Sequence, residues 1–515
     1  MSNHDIPVQH IACIKESLLF NYEIIFCKFA TLIKNTHKMT SKERIEKALS
    51  ISTDTKIFEM GNGISNKAPE IFKSCFPGRK AVIVADINTW AVLGEAVYGY
   101  MTEAGIPTDK YIIEKKEFHA DWKYVEMTDC IIEGRFEDAK AIENDPNHVE
   151  TEPEKMFKEA CPEYNVLVSV GSGVINDLCK LASFHHGQSY LVMATAASVD
   201  GYSSFGASIT YQGSKQTFNC SAPVAIIADI DIIAAAPKEM TAAGYADLAA
   251  KVPAGAEWMI ADFVNSEPIQ DDAWHVLQDF LDDFLSDPVG TAEGKSSAVA
   301  DLFEGLTLSG IAMQAAKSSR PASCCDHLFS HILDMTEHRF NGKLQSHGFQ
   351  VAIGTLTMCA VFDEFFKLDF SNLDVDTLVE KWPSLEEEQE RALKVFEGFP
   401  APKLGYEHIT NKYEGKEAVR KQLSDLKAQW PELKAKLQNQ VYSFEKMQNL
   451  FRLAGAPCDP SDIGVSREQI KEMFPKVQLM RSRYNLLDLA FRGGFYDSIV
   501  EPVFGKGGAW EINHQ

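Results

Sequence analysis

The sequence predicts a parallel α/β domain followed by an all-helical one, and three observations carry that expectation. Between residues 55 and 235, short apolar runs rich in β-branched residues alternate with stretches of helical periodicity, the pattern of βαβ units around a parallel sheet. At the centre of this region, residues 166–204 run VLVSV, Gly171-Ser172-Gly173, a helical stretch, and a second apolar run at 190–194 ending in Thr195-Ala196-Ala197-Ser198. From Ala234 onward helical periodicity takes over and strands disappear.

The elements follow in order. Residues 11–33 are apolar but interrupted by Lys15, Glu16, Glu23 and Lys28, which fits neither a spanning helix nor a signal peptide. A soluble helix, SKERIEKALS, comes just after Met39, so residues 1–38 read either as an extension that folding and turnover can spare or as an upstream start chosen in error. IFEMGNG at 57–63 is a short strand closing on a turn, and KAVIVA at 80–85 is a buried strand ending at Asp86. Asp86 has two readings: acceptor for the adenine ribose hydroxyls of NAD, or cap of the helix over 90–104. A shorter strand follows at 111–113, and the acidic stretch 118–163 reads as a helix and a loop.

After the central strand, Val174, Leu178, Leu181 and Ala182 share one helical face, with Asp177 and Lys180 on the other side. His185 and His186 end that helix and are expected to face solvent unpaired. PVAIIAD at 223–229 is the last clear strand. Helices are then expected over 238–261 (broken near Pro253), 270–286, 297–317, 327–336, 348–366, 391–397, 416–453 and 467–491. Pro431 must start or kink a helix, residues 454–464 form a loop, and Glu386-Glu387-Glu388 reads as a solvated face. The predicted organisation is an extension (1–38), a dinucleotide-binding α/β domain (39–235) and an all-helical metal and substrate domain (236–515).

Composition narrows the function. A chain of 515 residues is too long for one compact core, and 45% hydrophobic with 24% charged residues is ordinary for a globular protein. The net charge of −23 argues against nucleic acid or an anionic membrane as partner. Any phosphate must therefore be held locally, by backbone donors, a metal or a few basic side chains. Eleven cysteines with no C-x-x-C spacing indicate a reduced, cytoplasmic protein.

Two sets of residues carry chemistry. The glycine turn after the central strand lets backbone N–H groups approach a pyrophosphate at the helix N-terminus, although two glycines alone favour an ordinary tight turn. In the helical half, Asp247 lies in GYADLAAK, His327 and His331 are i, i+4 in DHLFSH, and His347 precedes Gly348 at the start of a helix. One carboxylate and two imidazoles with an open position make a usable catalytic metal site.

In this order, GSGVINDLCK, TAASVDGYSS, GYADLAAK, RPASCCDHLFSH and HG resemble the motifs of the metal-dependent glycerol-1-phosphate dehydrogenases. These belong to the iron-containing alcohol dehydrogenase and dehydroquinate synthase superfamily. The resemblance covers roughly 57 to the C-terminus, and the tail containing MRSRYNLLDLA is similar to the bacterial branch. It implies a Rossmann-like domain ahead of a dehydroquinate synthase-like helical domain. It also implies reversible NAD(P)-dependent reduction of dihydroxyacetone phosphate to sn-glycerol 1-phosphate, with one zinc, nickel or iron ion. Partners would be a small phosphorylated triose and further copies of the chain, as a homodimer or larger homo-oligomer.

Carried over position by position, Gly171, Ser172, Gly173, Val174 and Ile175 would cradle the pyrophosphate. Thr195, Ala196, Ala197, Ser198 and Ser204 would line the nicotinamide side, and Asp86 would hold the ribose. Asp247, His327 and His347 would ligate the metal. Asp200, Asp247 and His331 would contact the substrate, with proton delivery through metal-bound water or His331. Arg320 and Lys251 are candidate phosphate neighbours or ordinary ion-pairing residues. Two departures stand out: G-S-G where the family often has three glycines, and S-C-C-D-H where it usually has S-G-S-E-H. The rivals are a polyol dehydrogenase or dehydroquinate synthase of the same superfamily, and a non-catalytic nucleotide sensor.

Overall fold

A computed structural model describes residues 39–115 and 118–512; the expected extension over 1–38 lies outside the described residues. The chain divides into two compact units, Met1–Glu46 and Lys47–Gln515. In the described part of the first, Thr40 and Glu43 cap the start of helix α1 (Ser41–Ile51) reciprocally, through Thr40 N–H to Glu43 Oε2 at 2.7 Å and Glu43 N–H to Thr40 Oγ1 at 3.3 Å.

The second unit is built on a six-stranded sheet: β1 (Ile57–Gly61), β2 (Ala81–Asp86), β3 (Thr108–Ile113), β4 (Val166–Gly171), β5 (Leu191–Ala194) and β8 (Ala225–Asp229). The spatial order is β1-β8-β5-β4-β2-β3, with every pairing parallel. Burial on both faces explains why β2, β4, β5 and β8 read as continuous apolar runs: Val82, Ile83, Val84, Val166, Leu167, Val168, Ile226 and Ile227 are all fully inaccessible. Helices α2 (Ala68–Cys75), α3 (Glu95–Glu103), α4 (Trp122–Ile132), α5 (Phe136–Asn144) and α6 (Gly173–His185) connect the strands.

Two findings depart from the expectation here, and a third adds to it. Residues 118–163 hold two helices, α4 and α5, rather than one. Lys180, on the other side of α6 from the Val174–Ala182 face, is itself buried, its ammonium donating to the carbonyls of Gly201 at 2.7 Å, Gly206 at 3.0 Å and Ser204 at 3.1 Å. His185 and His186 are also buried, not solvent-facing. His185 Nδ1 lies 3.1 Å from Asp129 Oδ2 and His186 Nε2 lies 3.2 Å from Glu133 Oε1. In each case a buried polar group survives because α4 or the loop after β5 supplies a partner.

Between β5 and β8 the chain makes an unanticipated hairpin, β6 (Ala207–Tyr211) with β7 (Ser214–Phe218), closed by Gln212 at φ 49° and Gly213 at φ 74°. Two consecutive left-handed residues fit the tight turn that such a hairpin needs.

The rest is helical: α7 (Lys238–Ala249), α8 (Lys251–Phe263), α9 (Ser296–Ala316), α10 (Cys325–Met335), α11 (His347–Phe365), α12 (Lys416–Gln440), α13 (Arg467–Leu479) and α14 (Leu486–Arg492), with shorter helices between. The predicted 238–261 helix breaks at Ala250, before Pro253, so that Pro253 occupies the first turn of α8, where a missing N–H costs nothing. Pro431 is accommodated inside α12. Among the described residues, a hairpin of two-residue strands, Arg339–Phe340 with Lys343–Leu344, is the exception to the loss of strands after Ala234. None of the described helices is long and apolar enough to cross a membrane.

Candidate functional site

From β2 the chain continues outward to β3, whereas from β4 it proceeds the other way to β5 and β8. The order reverses between β2 and β4, and in such sheets a crevice opens beyond the carboxyl ends of the strands at that point. Two sequence-predicted cofactor elements end there: Asp86 closes β2 and Gly171 closes β4. A Cβ on Gly171 would lie 2.7 Å from Ile175 Cβ, so the turn into α6 closes this tightly only with glycine. Ser172 makes no side-chain cap, leaving the first-turn amides of α6 to other acceptors. Asp86 Oδ1 accepts from Asn88 N–H at 2.7 Å and Thr89 N–H at 2.9 Å, so the capping role is realised. Neither bond uses its Oδ2.

Thr195–Ser198 leave β5 across the same end of the sheet. Gly244 of α7 lets this segment pack against it, since a Cβ there would sit 2.0 Å from Ala197 O. Tyr202 donates to Ala196 O at 2.9 Å and fixes the loop from below. Ser204 is engaged: its hydroxyl donates to Gly201 O at 3.2 Å and its carbonyl accepts from Lys180. At the end of the loop, Asp200 N–H donates to Asp247 Oδ2 at 3.0 Å, joining the strand end to α7.

Asp247, His327 and His347 come together from α7, α10 and α11, their potential ligand atoms within 4.8 Å of one another. Glycines permit the approach. A Cβ on Gly348 would meet Ala243 O at 2.1 Å, and one on Gly354 would meet Asp326 O at 2.0 Å, so α11 lies directly on the backbones of α7 and α10. The ring orientations are set from behind. His327 Nδ1 faces the Asp326 carboxylate. Ser330 gives its hydroxyl proton to Gln350 Oε1 at 2.6 Å and must therefore accept from His347 Nδ1 at 3.1 Å. Both arrangements leave Nε2 as the lone-pair nitrogen.

The donor set suits a divalent ion. Ligands about 2.1 Å from a tetrahedral ion are about 3.4 Å apart, and Asp247 Oδ1 lies 3.5 Å from His327 Nε2. The carboxylate is kept charged: burial would push its pKa up, but Lys251 and the neighbouring imidazoles hold it well below the usual range. Burial pulls His347 down to about 4, with the nearby His327 adding to the effect, so its ring is neutral. For His327 burial works downward too, yet Asp326 and Asp247 raise it to about 9. A metal would displace that proton.

Around this pole lies a mixed set of charges. Lys251, fully buried, reaches Asp247 Oδ1 at 2.6 Å and Asp200 Oδ2 at 2.9 Å. Those two carboxylates keep it protonated against the pull of burial. Ser309 adds a hydrogen bond to Asp200 Oδ2 at 3.0 Å. His331 sits one turn beyond His327, partly accessible, and is held neutral by burial and then by Arg481, His347, His327 and Lys215. Of the two candidate phosphate neighbours, Lys251 is thus at the site. Arg320 is not: buried, it donates to Glu257 O at 2.7 Å and Tyr484 O at 3.0 Å.

The sequence reading missed Asp326, Ser330 and Lys215. Asp326 had a usable signal, an acidic residue directly before His327; the others reach the site only through tertiary packing.

Residues 130–237 match the model of the iron-containing alcohol dehydrogenases. Over that stretch the chain is similar to that family. It is 30% identical over 280 residues to a glycerol-1-phosphate dehydrogenase (NAD(P)+) of Halalkalibacterium halodurans, covering 54% of this chain and 64% of that protein. To the glycerol-1-phosphate dehydrogenase (NAD(P)+) of Pyrococcus horikoshii it is 37% identical over 191 residues, 37% of this chain and 54% of that one. The chain thus spans roughly half to two thirds of the curated relatives it first matches. A glycerol dehydrogenase from Schizosaccharomyces pombe shares the fold, with a TM-score of 0.52 at 15% identity over 90% of this chain and 93% of that one.

Proposed function

We propose that the chain is an NAD(P)- and metal-dependent oxidoreductase that reversibly reduces dihydroxyacetone phosphate to sn-glycerol 1-phosphate. The observation that carries this reading is the bond from Asp200 N–H to Asp247 Oδ2. It ties the loop leaving the sheet's crevice to the carboxylate of the three-donor cluster, so a cofactor and a metal would meet across one cleft. The division into a cofactor-binding stretch over 39–235 and a metal- and substrate-binding stretch over 236–515 belongs to the same proposal.

Asp247, His327 and His347 would hold the ion, and the amides opening α6, with Asp86, would hold the dinucleotide. When bound, the ion supplies Lewis acidity toward a ketone oxygen and the dinucleotide supplies or accepts the hydride. The chain's residues do the rest. Asp326 and Ser330 keep the two imidazoles in the tautomer that presents Nε2. Lys251 lies between Asp200 and Asp247 and pairs with both carboxylates. His331 is neutral and has a proton-bearing nitrogen available to the substrate's hydroxyl or ketone oxygen. Zinc, nickel or iron would suit the donors, and a homo-oligomer is part of the proposal.

Steady-state turnover with NADH decides between the readings. Dihydroxyacetone phosphate should be preferred over free dihydroxyacetone by about 100-fold or more in kcat/KM. Preference for the free triose would favour a polyol dehydrogenase, and NADH binding without turnover of either would favour a sensor.

A further inference from the structure

The loop that leaves β5 brings Asp200 up to the three-donor cluster, and its backbone is seated from two sides. Ser203 donates to Thr307 O of α9 at 2.6 Å, and a Cβ on Gly310 would lie 2.8 Å from Asp200 O, so α9 packs directly on this turn. From the other side, Asp200 N–H donates to Asp247 Oδ2 of α7 at 3.0 Å.

The side chain is then fixed through one of its oxygens. Asp200 Oδ2 takes the Lys251 ammonium at 2.9 Å and the Ser309 hydroxyl at 3.0 Å. Both partners are fully buried and come from different helices, α8 and α9, so rotation of the carboxylate would break two bonds in the interior. Among the described residues, Oδ1 accepts no hydrogen bond. The Asp200 side chain keeps 15% of its surface exposed, whereas those of Lys251 and Asp247 keep none. An oxygen of an ion-paired carboxylate only accepts. What Oδ1 can recognise is therefore a hydroxyl, and neither a ketone oxygen nor a phosphate.

Lys251 also sets where that acceptor stands. Its ammonium reaches Asp247 Oδ1 at 2.6 Å, the oxygen that lies 3.5 Å from His327 Nε2. A single ammonium thus spans the gap between the Asp200 carboxylate and the three-donor pole. Dihydroxyacetone phosphate carries its free hydroxyl on the carbon beside the ketone, and its phosphate on the other side. With the ketone oxygen at the pole, that hydroxyl is the donor within reach of Oδ1.

We propose that Lys251 and Ser309 are positioning residues that hold Asp200 Oδ1 for the free hydroxyl of the triose, at a span from the metal pole set by the Lys251 ammonium. The inference rests on the proposed reduction of dihydroxyacetone phosphate and adds a requirement to it, a hydroxyl on the carbon next to the ketone.

The probe is hydroxyacetone phosphate, which keeps the ketone and the phosphate and lacks the free hydroxyl. Wild type, Lys251→Met, Ser309→Ala, Asp200→Ala and the double variant D200A/K251M are compared, with thermal unfolding to verify folding and elemental analysis for bound metal. The readout is the ratio of kcat/KM for dihydroxyacetone phosphate to that for hydroxyacetone phosphate, with NADH. In wild type this ratio should be about 100 or more. K251M should lower it by about tenfold or more, and S309A by about threefold. In the D200A background K251M should lower it no further, because a positioning residue acts only through the group it holds. A residue that served stability alone would depress both substrates together and leave the ratio in place. A folded K251M with a ratio within about twofold of wild type, a further fall in the double variant, or a K251M that loses its metal overturns the role of Lys251. Should K251M not fold, S309A decides by the same criterion. If wild type reduces neither ketone, the proposed reaction falls. Calorimetric affinities of the two phosphates for wild type, K251M and S309A then decide the positioning role, and equal affinities or no binding overturn it.

Discussion

In Asp247, His327 and His347 the ring nitrogens that point away from the cluster are tied down, whereas in Glu257, Cys324 and Cys325 the donor atoms themselves are engaged. Both groups are sets of three potential ligands within 4.8 Å, and both border the start of α10. In the first, Asp326 and Ser330 occupy Nδ1 and leave Nε2 available. In the second, Glu257 Oε2 accepts from Cys325 N–H and Oε1 from Leu486 N–H, each at 3.0 Å, and Cys324 Sγ accepts from Arg320 at 3.3 Å. Burial, with Cys324 and Glu257 beside it, also pushes the Cys325 thiol well above its ordinary range, which disfavours the thiolate a metal requires. Asp247 is hydrogen-bonded at both oxygens too, by Lys251 and by Asp200 N–H, so what separates the groups is the pair of imidazole Nε2 atoms left open in the first. Glu257 and the cysteines instead brace the end of the helix that carries His327, which gives the S-C-C-D-H departure a packing role.

The strongest way to break this comparison is to delete a ligand from each group. Asp247→Ala or His347→Ala should abolish turnover and lose bound metal, measured by elemental analysis of protein purified without added metal, while NADH still binds by fluorescence titration. Cys324→Ser should keep its metal. A metal-free C324S beside a metal-loaded D247A would reverse the two assignments.

The next test separates neighbours on one helix. His327→Ala should lose metal, whereas His331→Ala should keep it and lose about 30- to 1000-fold in kcat/KM for dihydroxyacetone phosphate. Metal analysis and kinetics on both variants check this, and the opposite pattern would place the ligand on the wrong turn.

Glu257→Ala probes the bracing group. It strands the N–H groups of Cys325 and Leu486 in the interior and should cost about 2–4 kcal/mol in chemical denaturation. Metal content of the folded fraction should stay stoichiometric; its loss would show that Glu257 is itself a ligand.

Asp86 is the intermediate case, with Oδ1 spent on the cap and Oδ2 unused by it. If Oδ2 receives the ribose, NADH should be preferred over NADPH by about threefold to tenfold, because the carboxylate repels a 2′-phosphate. Equal kcat/KM for the two cofactors would reduce Asp86 to a cap alone.

Much of this was legible in the chain where the signal is local. The buried strands, the tight turn after β4 and the donors Asp247, His327 and His347 are all visible as short apolar runs or compact motifs. The errors fall where partners come from far away. Lys180, His185 and His186 are polar residues on a helix; the pair His185-His186 reads as solvent-facing, and nothing local marks Lys180 as buried. Their carbonyl and carboxylate partners lie 21 to 56 residues distant. The β6–β7 hairpin had a local signal, a Gln-Gly pair between ASITY and SKQTF, but its strands are polar and lack the buried run that marked the others.

The bond from Leu486 N–H to Glu257 spans 229 residues of sequence. During synthesis Glu257 emerges long before its second donor exists, so one oxygen of this carboxylate stays wet until the ribosome has passed α14. The helix bearing His327 therefore gains this part of its seat only after Leu486 has been made.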